Sequence, residues 1–239
     1  MDISTYTSLL ALEAPGWGTA LLKGTLTTLE ISLGAFLAGI GIGLCCALGK
    51  LNGSRTLAPV LNLYTTVVRA IPELILIVAL YYAGTDSLNA LLNALGFESV
   101  EINGFATAIL VLGIVQGAYA TEVIRGAILA IPTGQIEAGK AFGMPATMRF
   151  RRIILPAMMP AALPGLSNLW ASVTKDSALI AVLGYQELAM ITKLAASNTK
   201  YYFFFFCTAA LIYLVITLCS NSVFDSLERR FRRGQVRVG

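Results

Sequence analysis

The chain of 239 residues contains no histidine, and only 13% of its residues are charged. The first absence removes the commonest metal ligand and general base, and the four cysteines, Cys45, Cys46, Cys207 and Cys219, have no partner spacing for zinc or haem. The second is about half the charged content of an ordinary soluble domain. No Gly-x4-Gly-Lys followed by Ser or Thr occurs, so the chain carries no P-loop phosphate cradle. No repeat of 20 to 50 residues and no low-complexity linker is present, which leaves one domain, residues 1–239. The opening stretch MDISTYTSLLALEAPGWG lacks the basic region and cleavage site of a secretory signal peptide and is expected to be retained. With Pro15 and Trp17 it reads as an interfacial segment over residues 1–20.

What is abundant is apolar length. The hydrophobic fraction is 56% and the mean hydropathy is +0.75. A helix needs about 20 apolar residues to cross a hydrocarbon core roughly 30 Å thick. Five runs qualify: Thr25 to Leu48, Pro59 to Ala83, Gly104 to Ala130, Met158 to Leu183 and Phe203 to Phe224. The expected fold is therefore an all-α membrane protein with five transmembrane helices. All four cysteines fall inside these runs, where packing is their default role.

Orientation follows from the bases, because Lys and Arg near span ends stay cytoplasmic. Lys50 and Arg55 follow the first run; Lys140, Arg149, Arg151 and Arg152 follow the third; Arg229, Arg230, Arg232, Arg233 and Arg237 end the chain. The loop after the second run, TDSLNALLNALGFESVEING, carries acids and no base. This predicts the N-terminus outside and the C-terminus inside. The net charge of +4 is then topological, and the terminal RRFRR suits anionic lipid better than nucleic acid.

Within the runs, the Gly39 to Gly43 spacing suits close helix approach, and the aromatics Tyr201 to Phe206 suit a membrane interface. Asp225 with Arg229 and Glu228 with Arg232 have ion-pair spacing on a solvated helix end. Three charge clusters lie deeper: Arg69 with Glu73, Glu122 with Arg125, and Lys175 beside Asp176. Charges at membrane depth are costly unless paired or facing a polar cavity, so each cluster is either a self-satisfied pair or part of a pathway. On a continuous second helix Glu73 would lie roughly 20 Å from the cytoplasmic start. Pro72, immediately before Glu73, loosens the backbone there. Lys175 and Asp176 precede the apolar SALIAVLG, which reads as a broken helix lining a cavity.

The stretch IEAGKAFGMPATMRFRRIILP, Ile136 to Pro156, interrupts the apolar pattern with a basic, helix-like segment. Gly143, Met144 and Pro145 break it into two short helices at an angle. Such a hairpin lies on lipid headgroups or docks a soluble partner.

Counted from Glu137, the order is Glu137-Ala138-Gly139, three residues, Gly143, nine residues, Ile153, one residue, Leu155-Pro156. This spacing resembles the EAA loop of the permease subunits of binding-protein-dependent ABC importers; only Gly139 departs, standing where the family has alanine. The stretches YTTVVRAIPEL, GAYATEVIRGAILAIPTGQIEAGKAFG and VTKDSALIAVLG are similar to polar amino acid permeases. They look closest to the Q-type subunit of importers for histidine, lysine, arginine, ornithine or opines. Ala70 and Glu73 depart from the Arg-Gly-Thr-Pro-Leu-Leu of the general polar amino acid permease.

The resemblance implies a type I importer fold in the bacterial cytoplasmic membrane. Residues 133–156 form its coupling-helix loop, with Glu137, Ala138, Gly139, Gly143, Met144, Pro145 and Arg149 meeting an ATPase. It implies as partners two copies of that ATPase, a periplasmic amino acid binding protein, and a second permease that is either an M-type chain or another copy. It implies no enzyme activity and no cofactor on this chain, with ATP and magnesium on the ATPase. The substrate pathway is expected at Arg69, Glu73, Glu122, Lys175 and Asp176. The rival reading is an ATP-independent carrier or channel, which should show a duplicated half and more spans.

Overall fold

The computed structural model describes residues 3–53, 55–94 and 104–232, and all of its regular structure is helical. The helices are α1 Ile3–Leu9, α2 Gly18–Asn52, α3 Leu57–Ala70, α4 Glu73–Ala94, α5 Gly104–Leu129, α6 Thr133–Ala141, α7 Ala146–Arg149, α8 Leu155–Asp176, α9 Leu188–Thr199 and α10 Tyr202–Arg232. Residues 95–103 of the acidic loop, together with Arg233 and Arg237, lie outside the described residues. Four continuous helical segments are long and apolar enough to span: α2, α5, the run Ala146–Leu183, and α10. A bent pair, α3 with α4, gives a fifth if it counts as one span.

The scaffold is the α2–α5 pair, and its close approach explains the glycine spacing. A Cβ on Gly43 would stand 2.6 Å from the Ala120 Cβ and 2.9 Å from backbone atoms of Ala120 and Thr121; one on Gly39 would meet Gln116 at 3.0 Å. Only glycine lets the two backbones meet at these points. Around the seam lie Ile31, Ala35, Leu112, Val115 and Ala118 in one buried cluster, and Ala47, Ala120, Ile124 and Ala127 in a second towards the elbow. A third cluster joins Leu21, Leu188, Ile191 and Phe205. Facing outward are Leu22, Leu26, Leu33 and Leu37 on α2, and Phe203, Leu211, Leu214 and Leu218 on α10.

The second predicted span is not one helix. The axes of α3 and α4 differ by 118°, and the break falls at Ile71 and Pro72. Ile71 is extended, at φ −89° and ψ 138°, as a residue before proline prefers, and Pro72 has no N–H to continue the ladder. The depth expected for Glu73 from a continuous rise therefore does not apply; Glu73 is the first residue of a new helix. The expected break near Asp176 is instead a tightening: α8 runs directly into a 3-10 turn, Ser177–Leu183, that ends at Gly184 with φ 81°.

Three smaller expectations also change. Helix α9 had no counterpart in the apolar runs. Cys45, Cys207 and Cys219 are exposed rather than packed inside the chain. Glu228 pairs with Arg232 at 2.7 Å, but Arg229 donates to Ser226 Oγ, and no ion pair joins it to Asp225 among the described residues.

Candidate functional site

The break between α3 and α4 separates Arg69 from Glu73 just where a continuous helix would have set them one turn apart. No ion pair joins them among the described residues. Arg69 instead lies over the Tyr119 ring of α5, with its guanidinium carbon 5.8 Å from the ring centroid, a cation–π distance. Glu73 turns towards the end of α8, where it lies next to Asp176 and beside the Tyr119 hydroxyl. Asp176 accepts a hydrogen bond from Gln116 Nε2 at 3.0 Å. Lys175 is exposed and forms no ion pair with Asp176 among the described residues. Arg69, Glu73, Tyr119, Gln116 and Asp176 thus converge from α3, α4, α5 and α8.

The chemistry of this group is lopsided. Two carboxylates side by side repel unless a proton or a cation is shared between them. Gln116 is buried, at 2% exposure, and with Nε2 turned to Asp176 its Oε1 has no protein partner. The cluster therefore offers acceptors to a donor-rich guest.

Glu122 belongs to a different arrangement. It binds Lys50 Nζ at 2.7 Å and Arg125 at 2.9 Å, and Lys50 also donates to Thr65 Oγ1 at 2.6 Å. The pair with Arg125 is the expected one. The role of Lys50 is not: its side chain is only 5% exposed, and it ties α2 to α3 and α5. Tyr64 adds a second tie from α3, donating to the Ile114 carbonyl. A further buried acid, Glu187, accepts from the backbone N–H groups of Ala189 and Met190 at the start of α9 and from the hydroxyls of Thr28 and Tyr213.

The basic segment after α5 forms an elbow. Helix α6 ends at Ala141, Phe142 N–H bonds the Ala138 carbonyl, and Gly143 takes φ +70°, a left-handed turn that favours glycine. Arg149 closes the turn by donating to the Met144 carbonyl at 3.2 Å. Gly139 is buried against Ile153 and Arg149; a Cβ there would come 2.7 Å from Ile153 Cδ1, the movable end of a side chain. Glu137, Ala138 and Pro145 are exposed, Met144 is half-buried, and Phe142 projects with 86% of its surface free. The second arm is not a separate short helix. Helix α7 passes through a π-turn, Phe150–Ile154, straight into α8. Pro156 has no N–H for the Arg152 carbonyl, and the wider turn falls at that place.

Sequence reasoning named the acids but missed Gln116, Tyr119 and Lys50. The first two had a signal: positions 116, 119 and 122 place polar groups at helical spacing within an apolar run. Lys50 had none, since its partners lie 15 and 72 residues away.

A glycine-seamed scaffold of long apolar helices, a polar cluster at a bent helix pair and a protruding basic elbow describe a polytopic membrane protein. The chain belongs to the family of binding-protein-dependent transport system inner membrane components, whose model matches residues 39–233. It is 39% identical over 223 residues to the histidine/lysine/arginine/ornithine transport system permease protein HisQ of Salmonella typhimurium, covering 93% of this chain and 98% of that protein. It is 38% identical over 230 residues to the octopine transport system permease protein OccQ of Rhizobium radiobacter, covering 96% and 97%. A crystal structure of an amino acid ABC transporter with histidines matches at TM-score 0.76 and 28% identity, over 96% of this chain and 99% of that one. The methionine transporter MetNI, captured facing inward, shares the fold at TM-score 0.73 and 21% identity, over 90% and 97%. The chain is thus an ABC importer permease, and the ATP-independent carrier reading falls away.

Proposed function

We propose that this chain is the Q-type permease of an importer for cationic amino acids or opines, and that the cluster of Glu73, Asp176 and Gln116 receives the cationic group. The juxtaposition of two half-buried carboxylates with no ion pair to Arg69 or Lys175 carries this reading, since like charges held together out of bulk water call for a cation or a set of donors. Relatives whose names specify histidine, lysine, arginine, ornithine or octopine support it. Arg69 and Lys175 border the pathway, and Glu122, already engaged by Lys50 and Arg125, anchors helices.

In this reading the N-terminus lies outside and the C-terminus inside a bacterial cytoplasmic membrane. The 133–156 elbow faces an ATPase dimer that holds ATP and magnesium. Glu137, Ala138, Gly139, Gly143, Met144, Pro145 and Arg149 form the contact, with Phe142 at its tip. A periplasmic binding protein delivers the substrate, and a second permease, an M-type chain or another copy, closes the pathway.

The test is uptake by the reconstituted complex. Glu73→Gln should reduce transport of arginine-like substrates at least about tenfold, the loss expected when one partner of a desolvated charge pair is removed, and spare neutral ones. Equal impairment of both, with assembly intact, removes Glu73 from recognition.

A further inference from the structure

A cavity of about 560 Å³ opens between the elbow and the inner ends of α2 and α5. Its wall is apolar, with Leu51, Ile128, Ile136 and Ile154, and two cations, Lys140 and Arg149, stand on its border. No acid lines it among the described residues. Lys140 forms no ion pair there, and Arg149 donates only to the Met144 carbonyl. Arg151 and Arg152, both exposed, add charge on the next turn.

An apolar chamber edged by uncompensated cations at the end of two spanning helices complements an amphiphilic anion. We propose that this cavity is a binding site for an anionic phospholipid, with its acyl chain against Ile136 and Ile154 and its phosphate between Lys140 and Arg149. Charge complementarity decides the occupant: a zwitterionic lipid brings its own cation to the same place, whereas a phosphatidylglycerol headgroup brings one net negative charge to two cations and no cation of its own. The lipid would fill the space under the elbow and hold α6 at a fixed distance from α5, whichever substrate the polar cluster takes. The proposal rests on the functional reading for one point, that the ends of α2 and α5 beside this cavity lie at the cytoplasmic edge of the membrane.

The test uses the assembled permease–ATPase complex in nanodiscs of phosphatidylcholine with a minor fraction of phosphatidylglycerol. Lipid retained after detergent washing is counted by native mass spectrometry. The wild type should retain phosphatidylglycerol over phosphatidylcholine. Lys140→Ala should weaken that retention roughly fivefold, and Lys140→Ala with Arg149→Ala roughly thirtyfold, as expected for interfacial cations. Lys140→Arg should preserve it. Ile136→Trp, which fills the chamber and leaves both cations, should also lose it. Undiminished retention in the double variant, equal retention of the two lipids, or protection of Lys140 from amine labelling by the ATPase in lipid-free detergent would each overturn the site. Stimulation of ATP hydrolysis by the loaded binding protein, measured on Lys140→Ala in the same nanodiscs, reports separately on the importer reading, because Lys140 lies outside the proposed ATPase contact: stimulation that persists with less retained lipid leaves that reading standing.

Discussion

Gln116 and Glu122 lie less than two turns apart on α5, yet their surroundings are opposites. At Glu122 every charge is answered: Lys50 at 2.7 Å, Arg125 at 2.9 Å, and Thr65 completing the lysine. At Gln116, two acids from different helices lie together and the nearby cations are engaged elsewhere or exposed. Closed networks of the first kind hold helices in place, while open ones of the second kind cost stability, which is the ground for the proposal that a substrate completes this one. Depth in the membrane alone does not separate the two; the balance of donors and acceptors does.

Removing a carboxylate from each site is the sharpest way to break this comparison. Glu122→Gln leaves the Lys50 ammonium buried, and we expect a loss of about 3 kcal/mol, read as a lower thermal midpoint of the purified complex. Lys50→Met combined with Glu122→Leu should recover most of it, since the charge is then removed with its partner. Asp176→Asn should instead leave stability unchanged or raise it by up to about 1 kcal/mol, because it relieves a like-charge contact. Equal losses at both sites would erase the distinction. A smaller effect tests the seam that carries both clusters. Gly43→Ala must push α2 from α5 and should cost about 1–3 kcal/mol, whereas Gly41→Ala, with nothing within 4 Å of its new Cβ, should not destabilise. Smallest is Gly143→Ala, where φ +70° penalises a side chain by about 1 kcal/mol. Its readout is stimulation of ATPase activity by the loaded binding protein, which should fall while the complex stays assembled.

Much of this arrangement was legible from local pattern. Apolar length marked four long helices and the bent pair, Gly39 and Gly43 marked the seam, and Gly143 marked the elbow, because each feature is set by residues close to one another in the chain. Pro72 announced a loosened backbone, but not an angle of 118°, which depends on what α4 packs against. The failures share a cause. Helix α9, LAMITKLAASNT, is too short and mixed to stand out from periodicity, and Glu187 organises its start through Thr28, 159 residues away. Lys50 was counted only as a cytoplasmic base, and its side chain is a buried clamp. Local rules assign a charge to a side of the membrane; they carry no information about a partner on another helix.

The π-turn at Phe150–Ile154 has a mechanical meaning. From Ala146 to Leu183 the chain is one continuous helical run of 38 residues, with Pro160 and Pro164 inside it, the elbow at one end and Asp176 near the other. A π-turn carries one residue more than an α-turn, so relaxing it would swing everything beyond by about 100° and shift it about 1.5 Å along the axis. Under the coupling role proposed for the elbow, a movement at Gly143 would reach Asp176 as a change of rotational phase, with Pro160 and Pro164 as two further soft points on the way. Deleting a single residue between Phe150 and Ile154 would keep both ends whole and turn the carboxylate off Gln116.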